Sequence, residues 1–512
     1  MTNSKKISLN IVANLFSFAI TIIISLFITP IIVNALGGEA YGFVGLAQNF
    51  VNYAALVTVA LNSMASRFIS IEVYKEDYEQ ANKYFSSVFF SNLLIAAVML
   101  PVFAGIVWYL EHLIEIPAAL VTDVKFAFAI TFVQFIMNVL TSQFEVATYV
   151  TNRLYLNQKN NVISSFLRLA LILICFNVFS VRITYLTAAT FAGVLFTYVM
   201  NVIYTRRYLP KLKIRISNFN LSYVLKLIAS GVWNLVGKLN SMLMDGLDLL
   251  IANTFIGPVE MGAMALSKTI PTMFYSLRGT LDYPFAPPMT KCYAEGDMEG
   301  VVRNVRMGNK VLGIVIIAPI AAFAVYGKSF FSLWVPGEDT QLIYVLSLLS
   351  LLSLLASSCI NSVCTVLTII NKIRLPAIIS LITGVLTVII NFIVLKTTDF
   401  GVYAIAGTSS IFSLLRHYLF TPLYAAHCMK IKKSTFYHEV LTGNLCLVLN
   451  LAVGFLFYCF ISTGNTWISL ILSAGSFAVV GIVINFFVVL NKAERDAVFA
   501  AVKNKLRRNP VQ

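Results

Sequence analysis

Apolar runs of bilayer length follow one another along the whole chain, and no other feature constrains its fold as much. A helix needs about 20 mostly apolar residues to cross a hydrocarbon core. Fourteen segments meet that requirement: 7–33, 41–69, 84–110, 124–150, 162–180, 183–205, 222–256, 259–284, 301–327, 341–370, 376–395, 402–425, 438–460 and 467–491. Inside a bilayer each backbone N–H and C=O needs a partner within the protein, so runs of this kind are helices. The expected fold class is therefore an all-α polytopic membrane protein with about 14 transmembrane helices. Several segments exceed the hydrocarbon thickness, which implies tilt or extension beyond it. Only 12 % of residues are charged, against roughly 25 % in a soluble domain. The connections are short, and none is long enough for a separate soluble domain.

The net charge of +15 raises the question of nucleic acid. The basic residues cluster in turns between spans, which is the positive-inside pattern of a membrane protein. With the N-terminus inside, the inner segments hold 25 Lys and Arg and the outer segments hold 4. That bias places both termini in the cytoplasm. Lys5 and Lys6 precede an apolar run that is too long for a signal-peptide core and lacks a small-x-small cleavage site, so it is read as a retained first span. The tail KAERDAVFAAVKNKLRRN sets Val498, Val502 and Leu506 at helical spacing among basic residues. It suits either an anionic leaflet or a solvated helix.

The most basic inner loop, RRYLPKLKIRISNFN, divides the chain. The expected domains are an N-lobe at 1–205, a linker at 206–221, a C-lobe at 222–425, a helix pair at 426–491 and a basic tail at 492–512. A constant offset of 220 relates the two lobes. It pairs Asn14 with Asn234, Thr21 with Ser241, Ser25 with Asp245, Gly37 with Gly257 and Gly42 with Gly262. Parallel repeats of this kind are a common transporter plan.

The seventh expected span carries charges in the stretch GKLNSMLMDGLDLLIANTFIG. On a helix turning 100° per residue, Asn234, Lys238, Ser241, Asp245 and Asp248 fall within an arc of about 80°. The first span has a milder stripe of Asn10, Asn14, Ser17, Thr21 and Ser25. Charged residues in hydrocarbon face a wet cavity or a partner rather than lipid. The alternative is a set of polar contacts between packed helices. Asp248 lies nine residues before Gly257, and Lys268 lies ten after Pro258, so a salt bridge between them is expected. Lys238 and Arg278 likewise share a depth nearer the cytoplasm, and Arg67 ends the second span on that side. Arg67, Lys238 and Arg278 form a candidate cationic patch. Arginine suits phosphate because its planar fork donates two hydrogen bonds.

No catalytic residues or metal ligands are identified. GVWNLVGK has five residues between its glycines, one more than a phosphate loop, and lacks the following Ser or Thr. The four histidines and seven cysteines show no metal-ligand spacing. No nucleotide-binding domain is present, and no cofactor is expected.

Three stretches carry a resemblance that covers essentially the whole chain: SLFITPIIVNALGGEAYGFVGLAQ, NSMASRFISIEVYKEDYEQANKYFSSVFFSN and LDLLIANTFIGPVEMGAMALS. They look like those of Wzx-type oligosaccharide flippases of the multidrug/oligosaccharidyl-lipid/polysaccharide (MOP) exporter superfamily. That resemblance implies a MATE-like fold of two pseudo-symmetric six-helix lobes plus a terminal pair, in the bacterial cytoplasmic membrane. It implies movement of an undecaprenyl-diphosphate-linked glycan by alternating access, without enzymatic chemistry. The cationic patch is then where the diphosphate sits, with Asp245, Asn234 and Ser241 lining the cavity or coupling H+ or Na+. The implied partners are the glycan lipid, membrane lipids and the polysaccharide polymerase machinery, and no nucleic acid. The alternatives are an ion-coupled multidrug exporter of the same superfamily, or a membrane polymerase or ligase. Basic residues outnumber acids in the spans, which fits an anionic cargo.

Overall fold

The computed structural model describes residues 3–151, 153–179, 181–460, 466–496 and 499. Among them the regular structure is entirely helical. Eleven helices are each long and apolar enough to cross a membrane. Among the described residues, expected spans 41–69, 124–150 and 341–370 are interrupted at Ala55, at the 3-10 turn Ser142–Glu145 and at Cys359–Ile360. The remaining expected spans, 222–256, 259–284 and 402–425, are interrupted as well. The first is Leu221–Ser241, a π-turn at Met242–Gly246, then Asp248–Phe255. The second is Pro258–Ser267 and Thr269–Asp282, parted at Lys268. The third is Val402–Leu415, a π-turn at Arg416–Phe420, then Thr421–Cys428. Hydropathy alone reads through such breaks because it averages over side chains and ignores backbone pairing.

The chain gathers into two compact units. Unit 1 comprises the described residues of Met1–Leu266 together with Ser380–Val402. Its basic end is cemented by Leu61, Ala65, Ile69 and Val73 of one helix, Tyr84, Phe85 and Val88 of the next, and Val224 and Leu227. The helix Leu221–Ser241 lies so close to Leu56–Tyr74 that a Cβ at Gly231 would fall 1.9 Å from the Ala60 carbonyl oxygen. At the opposite end, a Cβ at Gly42 would lie 3.0 Å from Gly262 Cα, and one at Gly262 would lie 2.6 Å from the Gly38 carbonyl carbon. The two glycines related by the offset of 220 therefore touch each other. Lipid gives helices little hydrophobic reason to associate, and close backbone approach through small residues supplies the packing instead.

Unit 2 comprises Ser267–Ile379 and the described residues of Tyr403–Gln512. Its axis is the 37-residue helix Met298–Trp334, which is buried along much of its length. Val301, Val305, Ile314 and Ile317 of that helix share one core with Ile360, Val363, Ala425, Met429 and Phe436. Polar contacts tie the last two spans to it. Asn450 donates to Asn485 Oδ1 at 2.6 Å, and Asn485 donates to the Ile314 carbonyl at 3.2 Å. Beyond the last span, Asn491 and Glu494 cap each other's amides at 2.9 and 3.0 Å. Glu494 also receives Lys310 Nζ at 2.6 Å, which neutralises a buried ammonium. Burial opposes the charge on Glu494, but the hydrogen bonds from Lys310 and the Asn491 amide hold its carboxyl below the usual range. The expected amphipathic tail positions Val498, Val502 and Leu506 lie outside the described residues.

The repeat register continues further than the sequence comparison. The turn after Leu56–Tyr74 has Glu76 at φ 60°, followed by Asp77, whose carboxylate caps Gln80 N. Offset by 220, Gly296 has φ 76° and the Asp297 carboxylate caps Gly300 N. The same pair of backbone bonds closes both turns: Asp77 N to Glu72 O at 3.0 Å, and Asp297 N to Cys292 O at 2.9 Å. One local conformation is thus built twice, from Glu at one site and Gly at the other.

The two glycines of Leu221–Ser241 should respond oppositely to the same change. Gly231→Ala forces a methyl into the Ala60 backbone and is expected to destabilise by about 1–3 kcal/mol. Gly237 has nothing within 4 Å of its Cβ position, so Gly237→Ala should leave stability unchanged or raise it slightly through helix propensity. Thermal unfolding of the two purified proteins in detergent distinguishes them. Equal melting temperatures would show that the helix pair is not packed this tightly.

Candidate functional site

In the interrupted seventh, eighth and twelfth spans, charged residues stand at the break. Asp245 lies in the π-turn of the seventh, with Asp248 just beyond it; Lys268 lies between the two helices of the eighth; Arg416 opens the π-turn of the twelfth. A break frees backbone groups that hydrocarbon cannot satisfy, so it is tolerated where protein or water covers it. Discontinuous helices in membrane proteins are for that reason common places for binding polar cargo.

In unit 1 the polar stripe is docked at two points. Asn234 donates to Ser63 Oγ at 3.0 Å, and Lys238 Nζ donates to Asn52 Oδ1 at 3.1 Å. Asn234, Ser241 and Asp245 are nonetheless exposed, and Lys238 is half-buried. Ser241 spends its proton on the Gly237 carbonyl of its own helix at 3.2 Å. Arg67 is exposed one turn beyond Ser63 on the same helix face. Lys238 lies one turn from Asn234 in the opposite direction. The two cations therefore share a wall and stand about two turns, roughly 11 Å, apart along it.

The π-turn in unit 1 is held from two sides. Tyr53 donates its hydroxyl to the Gly246 carbonyl at 2.5 Å. On the other side Thr387 donates to Met244 Sδ at 3.5 Å, and Gly384 admits the Leu243 side chain. Asp248 is buried and within electrostatic reach of Tyr53. The pairing of 243 with 384 and 244 with 387 carries Asn391 toward the level of Asp248. The side-chain oxygens of Asn240 and Asn391 are buried and accept no hydrogen bond. Sequence reasoning missed Asn240, Thr387 and Asn391. Their signal was polar side chains on two long apolar helices, and only tertiary packing relates them. Farther along, the Asn253 amide exchanges both backbone hydrogen bonds of Glu115, at 2.9 and 3.0 Å, and fixes that end of Asp248–Phe255.

In unit 2 the Arg278 guanidinium donates to the Ser357 hydroxyl and lies 5.1 Å from the Tyr275 ring centroid. Tyr275 donates to Ser353 Oγ at 3.1 Å, and Ser353 meets Ser413 Oγ at 2.6 Å. Ser413 in turn contacts His417 Nδ1, at 3.2 Å through its hydroxyl and 2.7 Å through its carbonyl. This chain of hydroxyls orients Arg278 across two neighbouring helices. Its Nε is buried and unpartnered, and Arg416 lies within electrostatic range. Arg416 is another residue that sequence reasoning left unassigned, although a charge inside a span was its visible signal. One turn after Arg278, the buried Asp282 carboxylate receives Ser362 Oγ at 2.6 Å and Thr365 Oγ1 at 2.7 Å. Ser362 N also donates to Asn309 Oδ1 at 3.1 Å.

Among the described residues, no cluster of three or more His, Cys, Asp or Glu side chains is arranged to hold a metal ion. The arrangement suits two tasks. In unit 2 the fixed Arg278 guanidinium can grip an anion, and in unit 1 so can exposed Arg67 and half-buried Lys238. The carboxylates and orphan amide oxygens at the π-turn of unit 1 can receive a small cation or proton.

These features define a multi-span, all-helical membrane protein with discontinuous charged helices. Its fold is that of MOP-superfamily transporters. An inward-facing multidrug-resistance MATE transporter matches it with a TM-score of 0.64 at 14 % identity, over 84 % of this chain and 99 % of that one. The lipid II flippase MurJ, in an inward closed conformation, matches with a TM-score of 0.63 at 14 % identity, over 93 % and 98 % of the two chains. In sequence, residues 5–278 match the family model described as polysaccharide biosynthesis protein, and the chain belongs to that family. It is also 29 % identical, over 96 % of its length and 97 % of the relative's, to the uncharacterized membrane protein EpsK of Bacillus subtilis (strain 168).

Asp282 gives a direct test of the hydroxyl-lined seam in unit 2. Asp282→Ala strands two hydroxyls and should destabilise the protein by about 1–3 kcal/mol. Asp282→Asn retains one acceptor oxygen and should lose less. Melting temperatures in detergent that fall equally for both would assign Asp282 a role other than accepting these two bonds.

Proposed function

We propose that this protein is a flippase that carries a lipid-linked oligosaccharide across the membrane for polysaccharide assembly. The charged residues at the breaks of the seventh, eighth and twelfth spans, in a chain of the polysaccharide biosynthesis family, carry this reading. The cargo is an undecaprenyl-diphosphate-linked repeat unit. Arg67, Lys238 and Arg278 bind its diphosphate, and Arg416 adds positive potential beside Arg278. Cations in a low-dielectric setting attract a diphosphate strongly, and the planar fork of arginine fits its oxygens. The cargo moves without covalent change, by alternate opening of the lobes 1–205 and 222–425 toward the two sides. The bias of basic residues in the turns supports a bacterial cytoplasmic membrane location with both termini inside. The released unit passes to polymerase machinery.

Coupling to H+ or Na+ is assigned to Asp245 and its surroundings, with Asn234 and Ser241 lining the same polar face. The exposed carboxylate of Asp245 beside a π-turn supports this role. Asp248 is assigned a structural role as the partner of Lys268, on the strength of their matched spacing from the Gly257-Pro258 turn.

The direct experiment is flipping of a defined lipid-linked oligosaccharide by the purified chain in proteoliposomes, with proton and sodium gradients varied separately. Arg278→Ala should slow transport by about tenfold or more, since a charge-assisted contact contributes about 1.5–3 kcal/mol. Arg278→Lys should retain more activity, and Arg278→Glu should retain least. Normal transport by both Arg67→Ala and Arg278→Ala proteins would remove the diphosphate site.

The acidic residues separate by a different readout. Asp248→Ala and Lys268→Ala should each lower folded yield, while the double variant should lose less than the two losses combined. Asp245→Asn should fold normally and change the pH dependence of transport. Strictly additive losses at 248 and 268 would reject the pair, and an unaltered pH profile would leave Asp245 as a structural residue.

A further inference from the structure

We propose that a basic cleft at the Lys- and Arg-rich end of unit 2 binds the phosphate headgroup of an anionic lipid. The cleft has a volume of about 570 Å³ and lies between the turn at 370–373 and the segment 424–433. Arg67, Lys238 and Arg278 are not among the residues that line it. Its rim carries Lys372, His427, Lys430 and Lys433, all exposed. Tyr424 and Ile431 are half-buried in its wall. None of the described residues lining it is acidic. Surface cations in soluble proteins are usually interspersed with anions, whereas three ammonium groups around one concave surface make a site for negative charge.

The supporting framework is rigid. Ala425, Ala426 and Met429 belong to the buried core of unit 2, together with Leu367 and Ile370 from the other side of the cleft. Both sides end in the same tight turn. Lys372 N bonds Leu367 O at 2.9 Å across Asn371, which has φ 56°. Ile431 N bonds Ala426 O at 3.0 Å across Lys430, which also has φ 56°. That backbone conformation suits Gly or Asn, and Asn371 fits it. Lysine is a poor choice for such a turn, so its side chain is the feature that position 430 offers.

The membrane-facing surface next to the cleft is apolar. Ile411, Leu415, Leu419 and Leu423 are exposed at intervals of four along the chain that ends at His427. Leu375 and Ile378 are exposed just after Lys372. A ligand with a phosphate at one end and hydrocarbon at the other matches this order of surfaces. Basic pockets between spans at this end of a membrane protein hold anionic headgroups by the same chemistry. Two lipids present that chemistry: a bilayer phospholipid such as phosphatidylglycerol, and a polyprenyl diphosphate.

Native mass spectrometry of the detergent-purified full chain tests the site, with phosphatidylglycerol, polyprenyl diphosphate and phosphatidylcholine titrated separately. At least one of the two anionic lipids should bind, and phosphatidylcholine should not. Tighter binding of phosphatidylglycerol identifies a bilayer lipid as the source, and tighter binding of the diphosphate identifies the polyprenyl lipid. Lys372→Gln and Lys433→Gln should each weaken that binding about fivefold, the effect of one basic residue near a charged surface. Lys291→Gln, an exposed lysine of unit 2 that is not among the residues lining the cleft, should leave it unchanged. Lys430→Gly should preserve or raise the melting temperature while weakening anionic-lipid binding, a combination that a purely structural role for Lys430 does not produce. Equal affinity of wild type and the Lys372→Gln/Lys433→Gln protein, or equal binding of phosphatidylcholine, would overturn the proposal.

Discussion

The constraint on which this structure depends is the obligation to pair every backbone polar group inside hydrocarbon. Uninterrupted helices such as Tyr155–Val178 and Ile183–Tyr208 meet it by i to i−4 bonding. The seventh, eighth and twelfth spans do not, and side chains from neighbouring helices meet their freed carbonyls; at the eighth, Ser347 donates to the Ser267 carbonyl at 2.8 Å. At the π-turn of unit 1 the repair is Tyr53 on the Gly246 carbonyl, with Thr387 on Met244 alongside. In the twelfth span Tyr437 of the next helix donates to the Tyr418 carbonyl of the second π-turn at 2.9 Å. A break that needs such support is also a place where a charged side chain can be held at depth. Structural necessity and candidate function therefore fall on the same residues.

Packing around these breaks relies on close approach rather than on burial of large apolar surface. Gly231 against Ala60, Gly42 against Gly262, and Gly384 against Leu243 bring backbones or short side chains into contact. Buried amides supply the directional part, as with Asn253 on Glu115 and Asn450 on Asn485. Lipid chains are as apolar as leucine, so leucine-rich faces are left for lipid. Exposed residues such as Leu94, Val98 and Ile471 accordingly need no protein partner.

The cationic residues divide by depth and support. Arg278 donates to the Ser357 hydroxyl and lies over the Tyr275 ring, whose own hydroxyl is held by Ser353 and, through it, Ser413. Arg67 is exposed without such a scaffold, and Lys238 is tethered by one amide. A rigid guanidinium loses little entropy on meeting a planar anion, whereas a free lysine supplies long-range attraction. Lys310 is a different case, since Glu494 neutralises it and leaves it a fastening for the segment after the last span.

The sequence alone determined the fold class, because bilayer thickness and backbone pairing leave helices as the only use for such long apolar runs. It also offered a repeat: the offset of 220 pairs Gly37 with Gly257 and Gly42 with Gly262, and the same offset relates the caps at Asp77 and Asp297. The polar stripe from Asn234 to Asp248 was legible because helical period alone gathers those residues onto one face. What the sequence left undecided was whether each stripe residue is open or engaged. Tertiary structure gives Asn234 and Lys238 to Ser63 and Asn52 and buries Asp248. It alone broke the helices at 242–246 and 416–420, because a π-turn depends on partners from other helices rather than on local propensity. It likewise set Arg416 near Arg278 and Thr387 against Met244, pairs separated by more than one hundred residues. Periodicity reports which face of a helix a residue occupies, and only the packing of helices decides what that face meets.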